Sequence, residues 1–363
     1  MASNKNQHFV PRCYLREFTI QAENKAINLF NVDRKKFIES APVKNQCSGD
    51  YFYGKDGQIE TALQSTEGAY SGTLREILEP GYILKDDHRT FLKRFWLLQH
   101  MRTEAASKRS VEMTEQMGEA VGDDPHQFRM GIDEAVQESM HAFTKEMHVV
   151  DDLKICLLRN KSNSPFITSD DPAILTNKWY LLDRRAAGNS FGLGSSGVLL
   201  FLPLSPNIFC VGYDGDVYSI PHEYGWVNVH KDRDVDALNQ HQLLNSRANV
   251  FIRSNEHQNM VRDLYELIEE SRPESRGRVQ YAVLDRVGPY EKRYRVVDRA
   301  DAPEHAEAMI HYQPIHPVPT SWPHLIKWKR KGFVSTNGSG IGYIRTSMIN
   351  RHSGAFTKEP VRR

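Results

Sequence analysis

The spacing of apolar residues changes along this chain, and the change divides it into a helical part and strand-rich parts. From about residue 60 to residue 148, apolar residues recur every three or four positions, which predicts amphipathic α-helices. Pro80-Gly81 and the segment Gly122–Pro125 interrupt this pattern. The predicted helices cover residues 60–79, 87–119 and 131–148.

Runs rich in β-branched and aromatic residues lie on both sides of the helical part. INLFNV and KFIES precede it and flank a short polar turn, while four apolar runs follow Asp151. Those four runs are KICLLR, PFITS, VLLFLPL and NIFCVGY. Asp214-Gly215, between NIFCVGY and DVYSI, predicts a β-hairpin. Two further helices are predicted at about 234–245 and 258–271.

The order of these elements predicts an α+β protein. We expect a central, mostly antiparallel sheet packed against several α-helices, with the Asp87 to Glu119 helix lying on the sheet. This core domain covers residues 1–272. Residues 273–363 form a carboxyl-terminal extension with short strands, a proline-rich loop and a basic tail.

Composition narrows the class of protein without naming an activity. The 363 residues include 47 Lys or Arg and 46 Asp or Glu, so binding through bulk charge is excluded and any charged site must be local. The 4 cysteines are scattered with no CxxC pair, which favours reduced, buried thiols. The amino terminus lacks a secretory pattern, and no apolar run approaches the ~18 residues of a membrane span. We therefore expect a cytoplasmic protein without a membrane partner.

One face of the predicted 87–119 helix carries the most informative polar residues. Leu92, Phe95, Gln99 and Arg102 follow one another at steps of three and four, so an amide and a guanidinium share an apolar stripe. Because burying an unpaired guanidinium is costly, Arg102 needs a carboxylate, a carbonyl or an anionic ligand. Two interpretations stay open. Gln99 and Arg102 belong to a catalytic site, or Arg102 is structural and either extends its guanidinium to solvent or ties the helix to the sheet through an ion pair.

A second polar set lies at the end of the run PFITSDDP. Thr168, Ser169, Asp170 and Asp171 follow an apolar strand, and Pro172 holds Asp171 extended. Asp170 and Asp171 are candidates to bind a divalent metal such as Mg²⁺, with Asp170 also a candidate base and Ser169 a candidate substrate contact. The alternative is ordinary turn chemistry, in which Ser and Asp side chains bond to nearby backbone.

Three candidates have weaker support. His8 and Arg12 flank Pro11 at the start of a predicted short helix, where His8 is a candidate acid or base and Arg12 a candidate substrate contact. Asn239 is a candidate to supply an amide to the same region. Each has a structural alternative, since histidines near helix ends and asparagines within helices commonly bond to local backbone.

The carboxyl-terminal end of the chain is basic and contains indole rings. From Thr320 to Arg363 there are nine Lys or Arg and one Glu, with Trp322 and Trp328 around KWKRK. Cations combined with stacking rings suit RNA or DNA, whereas a fraying charged terminus is the alternative. HExxH, GxSxG and Walker motifs are absent from the sequence.

Five segments of the chain resemble, in order, the domain of unknown function 4238 family over residues 8–253. The segments are HFVPRCYLREF, FWLLQHMRT, FITSDDP, PLSPN and LNQHQLLNSRANVFI. The residues that carry the pattern are His8, Pro11, Leu15, Gln99, Arg102, Thr168, Ser169, Asp170, Pro172, Pro203, Leu204, Ser205 and Pro206. Two positions depart from it, since Asp171 stands where the family often has Asn, and Glu104 where it often has Pro. The resemblance implies a shared fold unit in a largely microbial family with no settled activity.

These observations lead to three hypotheses about function. The first is a hydrolase acting on a phosphodiester, nuclease-like and of the antiviral defence or toxin type, with Mg²⁺ as cofactor. Its catalytic residues are His8, Gln99, Arg102 and Asp170. The second is a non-catalytic sensor module that binds a small ligand or nucleic acid. The third is structural, with the same polar residues forming a buried network that fixes helix against sheet.

Overall fold

The structure is a computed structural model that describes residues 5–122, 129–288, 292–302 and 307–361. The α-helices are α1 (Arg12–Leu15), α2 (Gln58–Leu78), α3 (Asp86–Arg102), α4 (Glu104–Val121), α5 (Ile132–Glu146), α6 (Lys178–Leu182), α7 (Asp232–Asn245) and α8 (Gln258–Ile268). The strands are β1 (Asn6–His8), β2 (Ala26–Asn31), β3 (Lys36–Pro42), β4 (Ser48–Asp50), β5 (Lys154–Asn160), β6 (Thr168–Ser169), β7 (Ile174–Thr176), β8 (Leu199–Ser205), β9 (Ile208–Tyr213), β10 (Tyr218–Ser219), β11 (Trp226–Val229), β12 (Asn249–Ile252), β13 (Gly277–Val287), β14 (Lys292–Val296), β15 (Ala308–Pro314), β16 (Lys327–Trp328), β17 (Phe333–Thr336), β18 (Tyr343–Ile344) and β19 (Thr357–Pro360).

Two larger sheets form the framework of the fold. The first has the strand order β11-β5-β9-β8-β7, in which β11 lies parallel to β5 and the other neighbours are antiparallel. The second has the order β3-β2-β12-β6 and is antiparallel throughout. The predicted α+β class with mostly antiparallel strands is therefore confirmed, although the strands are divided between two larger sheets and several small ones.

The first sheet is covered on both faces, which explains why β8 and β9 are apolar at successive positions. Leu200 packs in the core that contains residues of α3, such as Phe95. Its neighbour Leu199 faces the opposite core together with Ile326 and Val334, which lie beyond residue 272. The carboxyl-terminal extension therefore shares a hydrophobic core with the residues that precede it.

The helix predicted at 87–119 is two helices, because the chain breaks at Thr103. Thr103 is extended, with φ −76° and ψ 157°, between the end of α3 and the start of α4. Its hydroxyl accepts a hydrogen bond from the Ala106 amide (3.1 Å) and donates one to Asp171 Oδ1 (2.9 Å). The first bond caps α4, and the second fixes the break to a distant segment.

The β-hairpin predicted at Asp214-Gly215 is wrong. β9 pairs with β5 and β8, whereas β10 pairs with β16 of the extension. The Asp214 carboxylate instead accepts hydrogen bonds from the amides of Gly197 (2.7 Å) and Asp216 (2.9 Å). Because β9 is buried along its whole length, both of its edges need long partners, and β10 contains two residues.

The structure also bears on three other predictions from the sequence, which concern the helix break at residues 122–125, the cysteines and membrane spans. Gly122 ends α4 with a φ of 78°, but residues 123–125 of the predicted break lie outside the described residues, as do residues 362–363 of the basic tail. The four cysteines are free, and all but Cys13 are buried. Within the described ranges, every helix is too short or too polar to cross a membrane.

The segment from Thr168 to Thr176 crosses from the edge of one larger sheet to the edge of the other. β6 is the edge strand beside β12, and β7 is the edge strand beside β8. Asp170 and Asp171 lie between these two strands, where the segment also contacts α7. This crossing positions several of the predicted site residues against α4, α7 and the turn before β12.

Candidate functional site

Gln99 and Arg102 connect the last turn of α3 to the amino-terminal strand. The Gln99 amide Nε2 donates a hydrogen bond to the Phe9 carbonyl (3.0 Å), and Arg102 Nη2 donates one to the His8 carbonyl (2.9 Å). Gln99 is 0% exposed and Arg102 is 1% exposed. Both side chains therefore bond to consecutive peptide carbonyls and fix the position of the first strand.

The charge of Arg102 is balanced by a glutamate that the sequence pattern did not single out. Arg102 Nη2 lies 2.9 Å from Glu67 Oε1, and Nε donates to the Tyr53 hydroxyl (2.9 Å). The predicted need of Arg102 for a partner is confirmed, because Glu67 of α2 forms an ion pair with it. Its Nη1, together with Gln99 Oε1 and His8 Nε2, is buried without a hydrogen-bond partner in the structure.

His8 lies beside this network, and Arg12 lies at the surface. Burial and the charges of Arg12 and Arg102 lower the pKa of His8 to about 4, so its imidazole is neutral at physiological pH. Arg12 is exposed and reaches the Asn24 carbonyl at 3.4 Å. The structure thus brings His8, Gln99 and Arg102 together and leaves Arg12 at the edge.

The Asp170 carboxylate holds the turn that precedes β12. It accepts hydrogen bonds from three successive backbone amides, those of Arg247, Ala248 and Asn249, each at 2.8 Å. Burial raises the pKa of Asp170 to about 6, although the three amides oppose this shift. Both carboxylate oxygens are therefore engaged with backbone, but with a turn that is distant in the sequence rather than with the nearby backbone of the predicted alternative.

Ser169 and Asn239 take part in hydrogen bonds that join α7 to residues 165–169. Asn239 accepts a hydrogen bond from the Ile167 amide (3.1 Å) and donates one to the Pro165 carbonyl (2.9 Å). Ser169 donates to Gln242 Oε1 (2.7 Å). Gln242 was not predicted, although it lies three residues after Asn239 on the same helical face, a spacing the sequence displays.

Asp171 faces a cavity of about 410 Å³ between the core domain and the extension. Its carboxylate accepts a hydrogen bond from Thr103 and lies 2.6 Å from Arg109 Nη1 on α4. The polar residues that line this cavity are His100, Arg109, Ser110, Ser139, Asp171, Asn245, Arg276, Tyr312 and His316. The apolar residues are Met101, Ala106, Met113, Ala173, Ile174, Leu175, Phe191, Leu193, Pro314, Ile315 and Pro317. Of the predicted site residues, Asp171 is the one among these lining residues.

The comparison with protein families agrees with the motif residues of the sequence. The model of the family described as "Protein of unknown function (DUF4238)" matches residues 6–256. This chain belongs to the DUF4238 family. The predicted resemblance over residues 8–253 is confirmed. Searches of curated proteins and of solved structures gave no significant match.

The cavity of this DUF4238 protein has one wall inside the family match and one beyond it. Arg109 and Asp171 lie within residues 6–256, whereas Arg276, Tyr312 and His316 lie outside them. The sequence did not reveal the three residues of the outer wall, because they follow no motif and their distance along the chain hides their proximity to Asp171.

The geometry of the two aspartates gives the predicted Mg²⁺ site no support. Asp170 bonds to backbone amides, and Asp171 bonds to Thr103 and Arg109. Among the residues that the structure describes, no group of three or more His, Cys, Asp or Glu side chains is placed to hold a metal ion.

The basic tail is folded onto the DUF4238 domain through its tryptophans. The Trp328 ring stacks on Tyr218 with centroids 5.4 Å apart. Lys178 Nζ lies 5.2 Å from the centroid of the Trp328 ring and 6.0 Å from that of Trp322. Binding of RNA or DNA by this surface stays a prediction. Lys178 already lies against both tryptophan rings.

Proposed function

We propose that this DUF4238 protein is a binding or sensor module for a small anionic ligand, held in the cavity between its core domain and its extension. The observation that carries the proposal is Arg276. Its guanidinium lines the cavity and donates a hydrogen bond to the Leu244 carbonyl (2.7 Å). Over the described ranges, no carboxylate oxygen forms an ion pair with it, and the carboxylates of Asp171 and Asp170 act on this guanidinium only at longer range.

Neighbouring charges make the cavity favourable for an anion. Burial lowers the pKa of Arg276 to about 10, and the positive charges of Arg109 and Arg272 contribute to this decrease. The carboxylates of Asp171 and Asp170 oppose this effect, but Asp171 is paired with Arg109, and both oxygens of Asp170 accept hydrogen bonds from backbone amides. A bound anion would relieve the repulsion among the arginines, and a planar guanidinium suits carboxylate or phosphate oxygens.

The remainder of the cavity wall is mainly apolar. Methionine, leucine, isoleucine, proline and phenylalanine side chains from both walls line it. Ligand sites of about 300–1,000 Å³ with a few converging polar groups are typical of small-molecule binding. The proposed ligand therefore combines one anionic group with a flat or apolar body.

The phosphodiester hydrolase hypothesis has less support than ligand binding. Arg102 and Asp170, two of its catalytic candidates, are engaged with Glu67 and with backbone groups. His8 and Gln99 contribute to the same buried contacts rather than to the cavity wall.

A cytoplasmic location, as expected from the sequence, fits the free cysteines.

Phenyl phosphate is expected to raise the melting temperature of the protein and to bind through Arg276. Arg276→Met removes the guanidinium that is proposed to bind the anion. We therefore expect the affinity of this variant for phenyl phosphate to fall by about tenfold or more, as for loss of a charge-assisted bond. Isothermal titration calorimetry measures the affinity, and thermal unfolding without ligand checks that the variant is folded.

The matched control is Arg278→Met, because Arg278 is exposed two residues further along the chain. Its affinity should equal that of the wild type. Equal binding by wild type and Arg276→Met would contradict the proposal. So would the absence of binding to phenyl phosphate, benzoate and inorganic phosphate by the wild type.

A further inference from the structure

Two histidines that the proposed function does not use line the same cavity. His100 comes from the last turn of α3, and His316 comes from the proline-rich loop of the extension. Neither was a candidate in the sequence, where their positions differ by 216. Each is half-buried and lines the cavity.

Each imidazole has one nitrogen engaged with a backbone carbonyl. His100 Nδ1 lies 2.8 Å from the Ala173 oxygen, and His316 Nε2 lies 3.0 Å from the Phe191 oxygen. Because a carbonyl oxygen only accepts, each of these nitrogens carries the proton of the neutral ring. The other nitrogens, His100 Nε2 and His316 Nδ1, are therefore hydrogen-bond acceptors.

The surroundings keep both rings neutral and fixed. Burial lowers the pKa of His316 to about 4 and also lowers the pKa of His100, with the charge of Arg109 contributing to both shifts. His316 stacks on Phe191 with ring centroids 3.6 Å apart and an interplanar angle of 12°. His100 stacks on Trp96 at 4.8 Å and 13°. Aromatic stacking thus holds both histidine rings, which line the cavity together with Phe191.

We propose that the ligand is a nucleotide, whose phosphate binds Arg276 and whose base donates N–H hydrogen bonds to the imidazoles of His100 and His316. This inference rests on the proposed function, because the phosphate is the anion required there. A nucleobase supplies both the flat body that suits apolar and aromatic walls and the N–H donors that neutral imidazoles accept. A free nucleoside monophosphate and the phosphorylated end of an RNA or DNA strand share this chemistry.

Calorimetric titration of the full chain with AMP and two analogues tests the base contact. Purine riboside 5′-phosphate lacks the amino group of AMP, and ribose 5-phosphate lacks the base. We expect AMP to bind about tenfold more tightly than either analogue, as for loss of a buried hydrogen bond. His316→Phe keeps an aromatic ring against Phe191 but removes one of the two acceptors, so it should reduce the preference for AMP over purine riboside 5′-phosphate, and combining it with His100→Phe should abolish that preference.

The matched control is His311→Phe, which changes an exposed histidine on β15 and should leave the preference intact. Equal affinity of the wild type for AMP and ribose 5-phosphate would overturn the nucleotide assignment while leaving anion binding in place. Absence of binding to every phosphate, phenyl phosphate included, would overturn both. Tighter binding of a 5′-phosphorylated oligodeoxyadenylate than of AMP would assign the nucleotide to a strand end, and the reverse would assign it to a free nucleotide.

The preference for AMP over purine riboside 5′-phosphate should not change between about pH 7.5 and about pH 5.5. An ordinary histidine gains a proton in this range and loses its acceptor, whereas the low pKa of His316, about 4, keeps the ring neutral. Taking the ratio of the two affinities cancels the titration of the phosphate group. A ratio that falls toward 1 on acidification through about pH 6.5 would show that the imidazole titrates normally and would contradict the role given to the buried acceptor.

Discussion

Replacing Arg102 with methionine is expected to lower the free energy of unfolding by about 3–5 kcal/mol, the range for removing one partner of a buried ion pair. The substitution leaves the Glu67 carboxylate, the Tyr53 hydroxyl and the His8 carbonyl without their shared donor. Arg102 is 1% exposed, so water replaces these bonds poorly. Urea unfolding followed by tryptophan fluorescence measures the loss.

Two further variants separate charge from geometry at this position. Arg102→Lys keeps a cation near Glu67 but loses the planar set of donors, so it should be intermediate in stability. Arg75→Met changes an exposed arginine of α2 and should alter the free energy by about 0.5 kcal/mol or less. A loss of under about 1 kcal/mol in Arg102→Met would mean that the Glu67 network is not what fixes α3 to the amino-terminal strand.

Asp170→Ala is expected to lower the free energy of unfolding by about 2–4 kcal/mol, since buried donors left unsatisfied cost about 1–3 kcal/mol each and part of that cost is recovered by relaxation. The amides of Arg247, Ala248 and Asn249 lose their acceptor, and the turn before β12 loses its support. Thermal and urea unfolding provide the measurement. Phenyl phosphate affinity in the folded variant should not fall, because Asp170 does not line the cavity and its negative charge near Arg276 opposes an anion.

The control for this substitution is Asp33→Ala, in the exposed turn between β2 and β3. It should change stability by about 0.5 kcal/mol or less. If Asp170→Ala were as stable as wild type yet lost ligand binding, the catalytic or metal role predicted from the sequence would regain support over the structural role of this carboxylate.

Local periodicity was enough to predict α3 but not its end. Leu92, Phe95, Gln99 and Arg102 are all buried, as their spacing predicts. Thr103 breaks the helix although no glycine or proline marks the position, and its hydroxyl both caps α4 at Ala106 and bonds to Asp171, 68 residues away. A contact at that separation leaves no trace in a window of one or two helical turns.

The candidate site shows the same division between local and long-range information. Strand-end chemistry pointed to the segment that contains Asp170 and Asp171, but only the fold decides that Asp170 turns toward the backbone amides before β12 and Asp171 toward the cavity. Arg276 and His316 carry no motif, so sequence reasoning had no reason to place them beside Asp171. Their roles arise from how the extension packs.

The extension wall of the cavity has an evolutionary consequence. Arg276, Tyr312 and His316 lie beyond the family match, whereas Arg109 and Asp171 lie within it. A DUF4238 domain could then acquire a new ligand by exchanging its carboxyl-terminal segment. Under the proposed function, the family match of this chain would supply one wall of the ligand site, and the segment that follows the match would supply the other.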